Sequence, residues 1–252
     1  MNKLDNIKIL IERGSATARG GFKNEDDVVT KFNKWKTDLD ARNWLDIMDY
    51  ILDDIEKIEA IKIHGYKTDV QVKIKIYMKN ALAIENISIK LVSNPVGFNQ
   101  IDKRWVDKYA EMWAIPNSLV KLLKLFTGEI KPNGSSRDPR RMFIDEMTEQ
   151  NQREIVDFFE GNKIMIITDL LKGRDKLAAS WMLIYQKHNN LWSFLPISVV
   201  MNYYAEGKVA VTNQGSLRIG RITMQRKGGD QGRNTANMLQ FKINPCSIVS
   251  HL

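Results

Sequence analysis

Three polar residues, Asp69, Ser88 and Lys90, stand around a stretch in which Val70, Val72, Ile74 and Ile76 alternate with Gln71, Lys73, Lys75 and Tyr77. A period of two marks a half-exposed β-strand. The next β run, Ile87 to Val92, puts Ser88 and Lys90 on one face and Ile87, Ile89 and Leu91 on the other. A carboxylate heading one strand and an ammonium on its neighbour are groups that metal-assisted phosphodiester hydrolysis requires. The Asp would hold a divalent cation against a phosphoryl oxygen, and the Lys would steady the attacking oxygen or the developing charge. Spacing alone does not separate that chemistry from the solvated outer face of any antiparallel hairpin.

The elements that must position these groups follow from periodicity. Asp26 to Leu52 reads as helix, with Val28, Val29, Phe32, Trp35, Trp44, Ile47, Met48 and Ile51 at three- and four-residue spacing and Asn24 as N-cap. Ala60 to Tyr77 reads as strand, with a turn at Lys79-Asn80 before the Ile87–Val92 run. After a loop, Ser93 to Asn99, a helix from about Ile101 carries Ile101, Trp105, Tyr109 and Trp113 on one face, and a second helix covers Ser118 to Phe126. Gly128 to Arg141, with Pro132, Asn133-Gly134 and Pro139, is the clearest boundary in the chain. Beyond it Thr148 to Phe159 reads as helix, Lys163 to Ile167 as buried strand, Ala178 to Gln186 as strand and Ile197 to Tyr204 as helix. Lys208 to Val211, Ser216 to Gln225 and Met238 to Ile243 read as strands of a final sheet. The expected fold is α/β: a mixed central sheet flanked by helices, with a β-rich C-terminal region.

The chain has 252 residues, 43% hydrophobic and 27% charged, the balance of a folded domain or two rather than of a disordered chain. Its single cysteine, Cys246, excludes a multi-cysteine zinc site and points to a reducing compartment. No apolar run is long enough to span a bilayer and the N-terminus lacks a signal-like core, so the expectation is a cytoplasmic protein with no membrane partner. The net charge of +8 favours a polyanionic partner. Between Gln225 and Lys242 four cations, Arg226, Lys227, Arg233 and Lys242, stand against Asp230 alone, around Gly228-Gly229 and Gly232. Such side chains, with Asn237 and Gln240, can pair with base edges or reach phosphates, although glycines with cations also suit a plain phosphate-binding loop. Phe98 sits in a loop where a large apolar side chain would be exposed unless it closes a core. The three histidines, His64, His188 and His251, are too dispersed to suggest a cluster.

Several separated segments carry a resemblance. Gly65-Tyr66-Lys67-Thr68-Asp69, Ser88-Ile89-Lys90-Leu91-Val92-Ser93-Asn94, Gly97-Phe98-Asn99-Gln100-Ile101-Asp102-Lys103, Gln225-Arg226-Lys227-Gly228-Gly229-Asp230 and Thr235-Ala236-Asn237-Met238-Leu239-Gln240-Phe241-Lys242 resemble the HinP1I-type restriction endonucleases. These are type II enzymes that cut GCGC in duplex DNA and belong to the PD-(D/E)xK nuclease superfamily. The resemblance runs from about Gly14 to Pro245. It implies that the family's Ser-Asp pair falls on Thr68 and Asp69, making Asp69 the central metal ligand, and that its Gln-x-Lys falls on Ser88, Ile89 and Lys90. The implied catalytic set is Asp69, Ser88, Lys90 and Glu25. The implied metal set is Asp69, Glu25 and Ile89, the last with only a backbone oxygen to offer, and the metal is Mg²⁺. Ser88 departs from the family's Gln and from the superfamily's acid, and a shorter neutral side chain weakens the hold on a metal. Glu85 is no substitute, because its parity puts it opposite Ser88 and Lys90. Glu25 is also a first-turn residue that the helix dipole would favour without any metal.

The resemblance further implies that Phe98 wedges between base steps to bend the duplex, with Asn99 and Gln100 beside it, and that the Gln225–Lys242 segment reads the major groove. The DNA-binding set is thus Phe98, Asn99, Gln100, Gln225, Arg226, Lys227, Asp230, Arg233, Asn237, Gln240 and Lys242. The expected division is a catalytic core, residues 1–130, and a recognition subdomain, residues 131–252. The partner is double-stranded DNA, cut one strand at a time by a monomer with at most a weak homodimer, and the genetic partner is a cognate DNA methyltransferase. The competing expectation, motivated by Ser88, is a catalytically impaired DNA-binding protein of the same fold.

Overall fold

The computed structural model describes residues 23–64, 70–229 and 233–251. Two compact units are woven from the chain. The first takes 1–97, 172–200 and 244–252; the second takes 98–171 and 201–243. The expected boundary near residue 130 falls inside the second of these units, and each unit takes strands from both sides of that residue.

In the first unit, α1 (residues 23–33) and α2 (Leu39–Ile47) replace the single long helix expected over Asp26–Leu52. The break falls at Asp38, whose extended backbone and carboxylate, accepting from the Ala41 amide at 3.0 Å, start a new helix. Asn24 lies inside α1 with its side chain buried, rather than capping it. The alternating run separates into two antiparallel strands, β1 (Ile55–His64) and β2 (Val70–Met78), and β3 (Ala81–Val92) follows through a tight turn. Val72, Ile74 and Ile76 of β2 and Ile87 and Ile89 of β3 form one apolar face under Val28, Phe32, Trp44 and Leu45 of the helices. Both helix tryptophans read as core are buried.

The second unit opens with β4 (Asn99–Arg104), where the sequence pattern suggests loop and then helix from Ile101. The helix, α3 (Val106–Trp113), begins later, and α4 (Asn117–Thr127) follows. Ile101 is buried as a strand residue, and its four-residue spacing to Trp105 merely mimics helical periodicity. Pairing with a strand far away in sequence decides the outcome, which local pattern cannot register. Next come α5 (Glu149–Gly161) and α6 (Lys163–Leu171). The expected strand over Lys163–Ile167 is the first half of α6; an apolar run there continues to Leu171, and short buried helices and strands share that signature.

The chain then returns to the first unit with β5 (Trp181–Gln186) and β6 (Leu191–Pro196), the latter unforeseen in the sequence. β5 pairs with β3 in parallel, giving a mixed sheet of order β1-β2-β3-β5-β6. After α7 (Ile197–Ala205), β7 (Ala210–Val211), β8 (Leu217–Ile219), β9 (Ile222–Arg226) and β10 (Leu239–Ile243) complete the second sheet, an antiparallel one of order β4-β10-β9-β8-β7. The short α8 (Pro245–Val249) packs on β3 and β5. Among the described residues no helix is long and apolar enough to cross a membrane.

Candidate active site and nucleic-acid interface

On β3 the strand alternation sets Ser88 and Lys90 on the face opposite Ile87 and Ile89, and both are about 5% exposed. Across the antiparallel register Ser88 lies directly opposite Gln71 of β2, which is 4% exposed, and on its other side lies Met182 of β5. Lys90 neighbours Ile184 of β5. Residues directly opposite in adjacent strands share a face with their Cβ atoms about 5 Å apart. Gln71, Ser88 and Lys90 are therefore neighbours in a polar group under cover, not a solvated row. Asn86, next along the same face, donates from its Nδ2 to the Lys176 and Ala178 carbonyls at 3.0 and 3.1 Å, while its Oδ1 is buried without a hydrogen-bond partner. The Gln71 Oε1 is buried with no hydrogen-bond partner.

Glu85 takes the opposite face, as its parity requires. It accepts from the Tyr50 hydroxyl at 2.9 Å and the Trp181 Nε1 at 3.0 Å. Burial, and then the Glu85 charge, push the Tyr50 phenol above its ordinary range. Glu25 is buried in the first described turn of α1. Its neighbour Asp26 pairs with Lys62 at 2.6 Å, which draws that turn of α1 to the end of the sheet where β1 finishes and β2 begins. Asp69 lies outside the described residues, as does Asp230; in the chain Asp69 precedes Gln71 by two. Among the described residues no three His, Cys, Asp or Glu side chains gather into a metal-binding group. A buried amide oxygen without a donor, opposite a hydroxyl, offers hard oxygens of the kind that suit a divalent cation.

In the second sheet the alternation divides the expected DNA-binding residues into two groups. Met224 and Phe241 face α3, where Phe241 meets Tyr109 with ring centroids 5.1 Å apart and Trp113 at 5.6 Å. Arg226 shares the parity of Met224 and is tied into the fold: its Nε donates to the Thr127 carbonyl at 2.8 Å and its Nη2 to Asn237 Oδ1 at 2.7 Å, while Asn237 Nδ2 donates to the Gly128 carbonyl at 2.9 Å. These bonds clasp the end of α4, where Gly128 has φ +85° and any Cβ would meet the Arg140 carbonyl at 2.6 Å. Burial and the nearby Arg140 lower the Arg226 pKa. The opposite face carries Gln225 across from Gln240, itself across from Lys103, and Thr223 across from Lys242, itself across from Gln100. A bulge between Phe241 and Lys242 makes this possible. It lets Ile101 and Asp102 both turn inward and swings Gln100 out beside Lys242. Burial lowers the Lys242 pKa.

Phe98 is 55% exposed and so does not close a core. Asn99 begins β4 opposite Ile243. Lys227, Gly228 and Gly229 leave the sheet through a loop with both glycines at positive φ, held by the Lys227 amide donating to the Met238 carbonyl at 2.8 Å; Arg233 on its far side is exposed. Sequence reasoning did not single out Gln71. Its signal was present only as a polar residue in the alternating strand, since burial of that face depends on what covers it.

The sequence profile of the R.HinP1I restriction endonuclease family matches residues 48–249. The chain belongs to that family. It is thus a type II restriction endonuclease, a site-specific deoxyribonuclease. The matched span includes β1 through α8 and leaves Glu25 before its start. Among solved structures, the restriction endonuclease MspI in complex with its cognate DNA superposes with a TM-score of 0.64 over 92% of each chain at 14% identity, the same fold at low sequence similarity. No curated protein matches. The expected fold class, a mixed sheet flanked by helices with a β-rich C-terminal region, agrees with both findings.

Proposed function

We propose that the protein hydrolyses phosphodiester bonds in duplex DNA at GCGC, using Mg²⁺ and cutting one strand at a time. The observation that carries the reading is the polar group on the sheet face, in which Lys90, a cation 5% exposed, stands beside Ser88 and Gln71 within the family-matched span. A lysine on that face is placed to stabilise negative charge that develops at a phosphate. Asp69, Glu25 and the Ile89 carbonyl would hold the metal. Bound there, the ion supplies Lewis acidity at the scissile phosphate. Lys90 orients the attacking water and stabilises the charge gathering on the phosphoryl oxygens. Gln100, Gln225 and Lys242, which share a face of the second sheet, would meet base edges or phosphates together with Lys227, Arg233, Asn99 and Asp230, and Phe98 would wedge the duplex open; Gln240, on the same face but 3% exposed, would support that surface from within the sheet. For Arg226 and Asn237 the bonds to α4 support a role in shaping that surface. An enzyme with this activity acts on cytoplasmic DNA as a monomer and requires a methyltransferase that protects host GCGC sites.

Digestion of a mapped plasmid tests the proposal. Fragments ending at GCGC in Mg²⁺, and none in EDTA, are expected. Cleavage in EDTA, or ends at another sequence, would reject the metal or the site.

A further inference from the structure

We infer that Gln71 is a metal-positioning residue whose side-chain oxygen takes the place on the cation that Ser88 is too short to fill. The inference rests on the reading of this sheet face as a cation centre. Gln71 is buried to 4% exposure in the first residues of a central strand, a place where Val, Met or Leu would pack without penalty. Its Oε1 is buried and accepts no hydrogen bond. A polar atom kept in that condition is destabilising unless something outside the chain satisfies it, and such atoms collect at functional sites.

The surroundings decide what that something is. An amide oxygen offers lone pairs, so it calls for a donor or a cation and repels a phosphate. Met182 and Ile184 on the β5 side offer no donor, the Ser88 hydroxyl and the Lys90 ammonium on β3 do not donate to it, and the Asn86 Nδ2 is spent on two backbone carbonyls while its Oδ1 is likewise buried without a donor. Directly opposite stands Ser88, whose hydroxyl adds a second hard oxygen on the same face. Two neutral oxygens from facing strands can hold what one longer side chain on β3 alone would hold, and a Gln one strand away reaches further than a Ser.

Calcium titration by calorimetry, on protein saturated with a GCGC duplex, and thermal melting without metal test the assignment in wild type, Gln71→Met, Gln71→Glu and the double variant Gln71→Met with Ser88→Gln. Gln71→Met should melt at the wild-type temperature or above and lose about tenfold in calcium affinity. Gln71→Glu should bind calcium more tightly than wild type, and Ser88→Gln should restore affinity to the Met variant. Wild-type protein that takes up no calcium would overturn the cation reading of the face and this inference with it. If wild type binds and Gln71→Met binds equally well, only the role of Gln71 falls. A Met variant that melts lower and is not restored by Ser88→Gln would make Gln71 a packing residue and overturn the assignment.

Discussion

Lys90 and Ser88 occupy the covered face of a central strand, where the proposed function makes Lys90 the charge-stabilising group. Lys90→Ala and Asp69→Ala should each slow single-turnover cleavage by at least about 10²–10³-fold, as loss of a charge-stabilising group does, and leave cognate affinity within a few-fold. Gel-shift and quench-flow measurements on the same preparations separate the two effects; loss of affinity that matches the loss of rate would make these residues binders. The pairing of Ser88 with Lys90, and the exclusion of Glu85, were legible because strand parity is read directly from sequence. Gln71 was not, because a polar residue in an alternating run is ordinarily solvated, and only the packing around β3 reveals that this one is buried and unsatisfied. Phe98 was legible as an anomaly, a large apolar side chain in a polar loop, and it is exposed.

The strands of the second sheet decide which candidate contacts can face DNA. Arg226 reads in sequence as a natural guanine partner, yet it clasps the end of α4 through Thr127 and Asn237. Arg226→Ala should therefore cost about 1.5–3 kcal/mol of stability, the worth of hydrogen bonds to a charged group, visible in urea unfolding. Gln225→Ala and Lys227→Ala should melt like wild type, and a true base reader between them should lose about 1–3 kcal/mol of cognate affinity. Equal melting of all three variants would return Arg226 to the base-reading set. The connection before α5 carries its own electrostatic lock. Asp138 accepts from Arg140 at Nε (2.8 Å) and Nη2 (2.9 Å), and those bonds hold its carboxyl down to a pKa of about 2, from an ordinary 3.8. A depressed carboxyl stabilises the fold above its unfolded pKa and ceases to as pH falls through its folded one. Asp138→Asn should thus lower the melting temperature at pH 7, with the gap to wild type closing between about pH 4 and pH 2. A gap independent of pH would assign the effect to packing. β4 was the element least legible in sequence. Its partner β10 lies some hundred and forty residues away, and the bulge that aims Gln100 outward exists only in the paired sheet.

Over the whole molecule, the fold class was readable because both sheets announce themselves by period-two runs. The interleaving was not, since β5 and β6 return to the first unit between the two segments of the second and α8 returns after it, a fact set by long-range contacts alone. On the proposed palindromic site one Lys90 per chain would confront two scissile phosphates, so a monomer would cut them in turn. Supercoiled plasmid should pass through an accumulating open circle, and Phe98→Ala should slow nicking more than it weakens non-specific binding, because the deformation that an inserted ring supports is worth several kcal/mol. Direct conversion to linear DNA at enzyme below substrate would point to a catalytic dimer. The β2–β3 face is proposed to hydrolyse DNA at GCGC. Single-turnover cleavage of an end-labelled duplex with one GCGC, by wild type and by Lys90→Ala in Mg²⁺, tests it most directly. Strand scission confined to that site by wild type and abolished in the variant is the predicted result; equal cutting by both, or an intact duplex bound by the wild type, would contradict it.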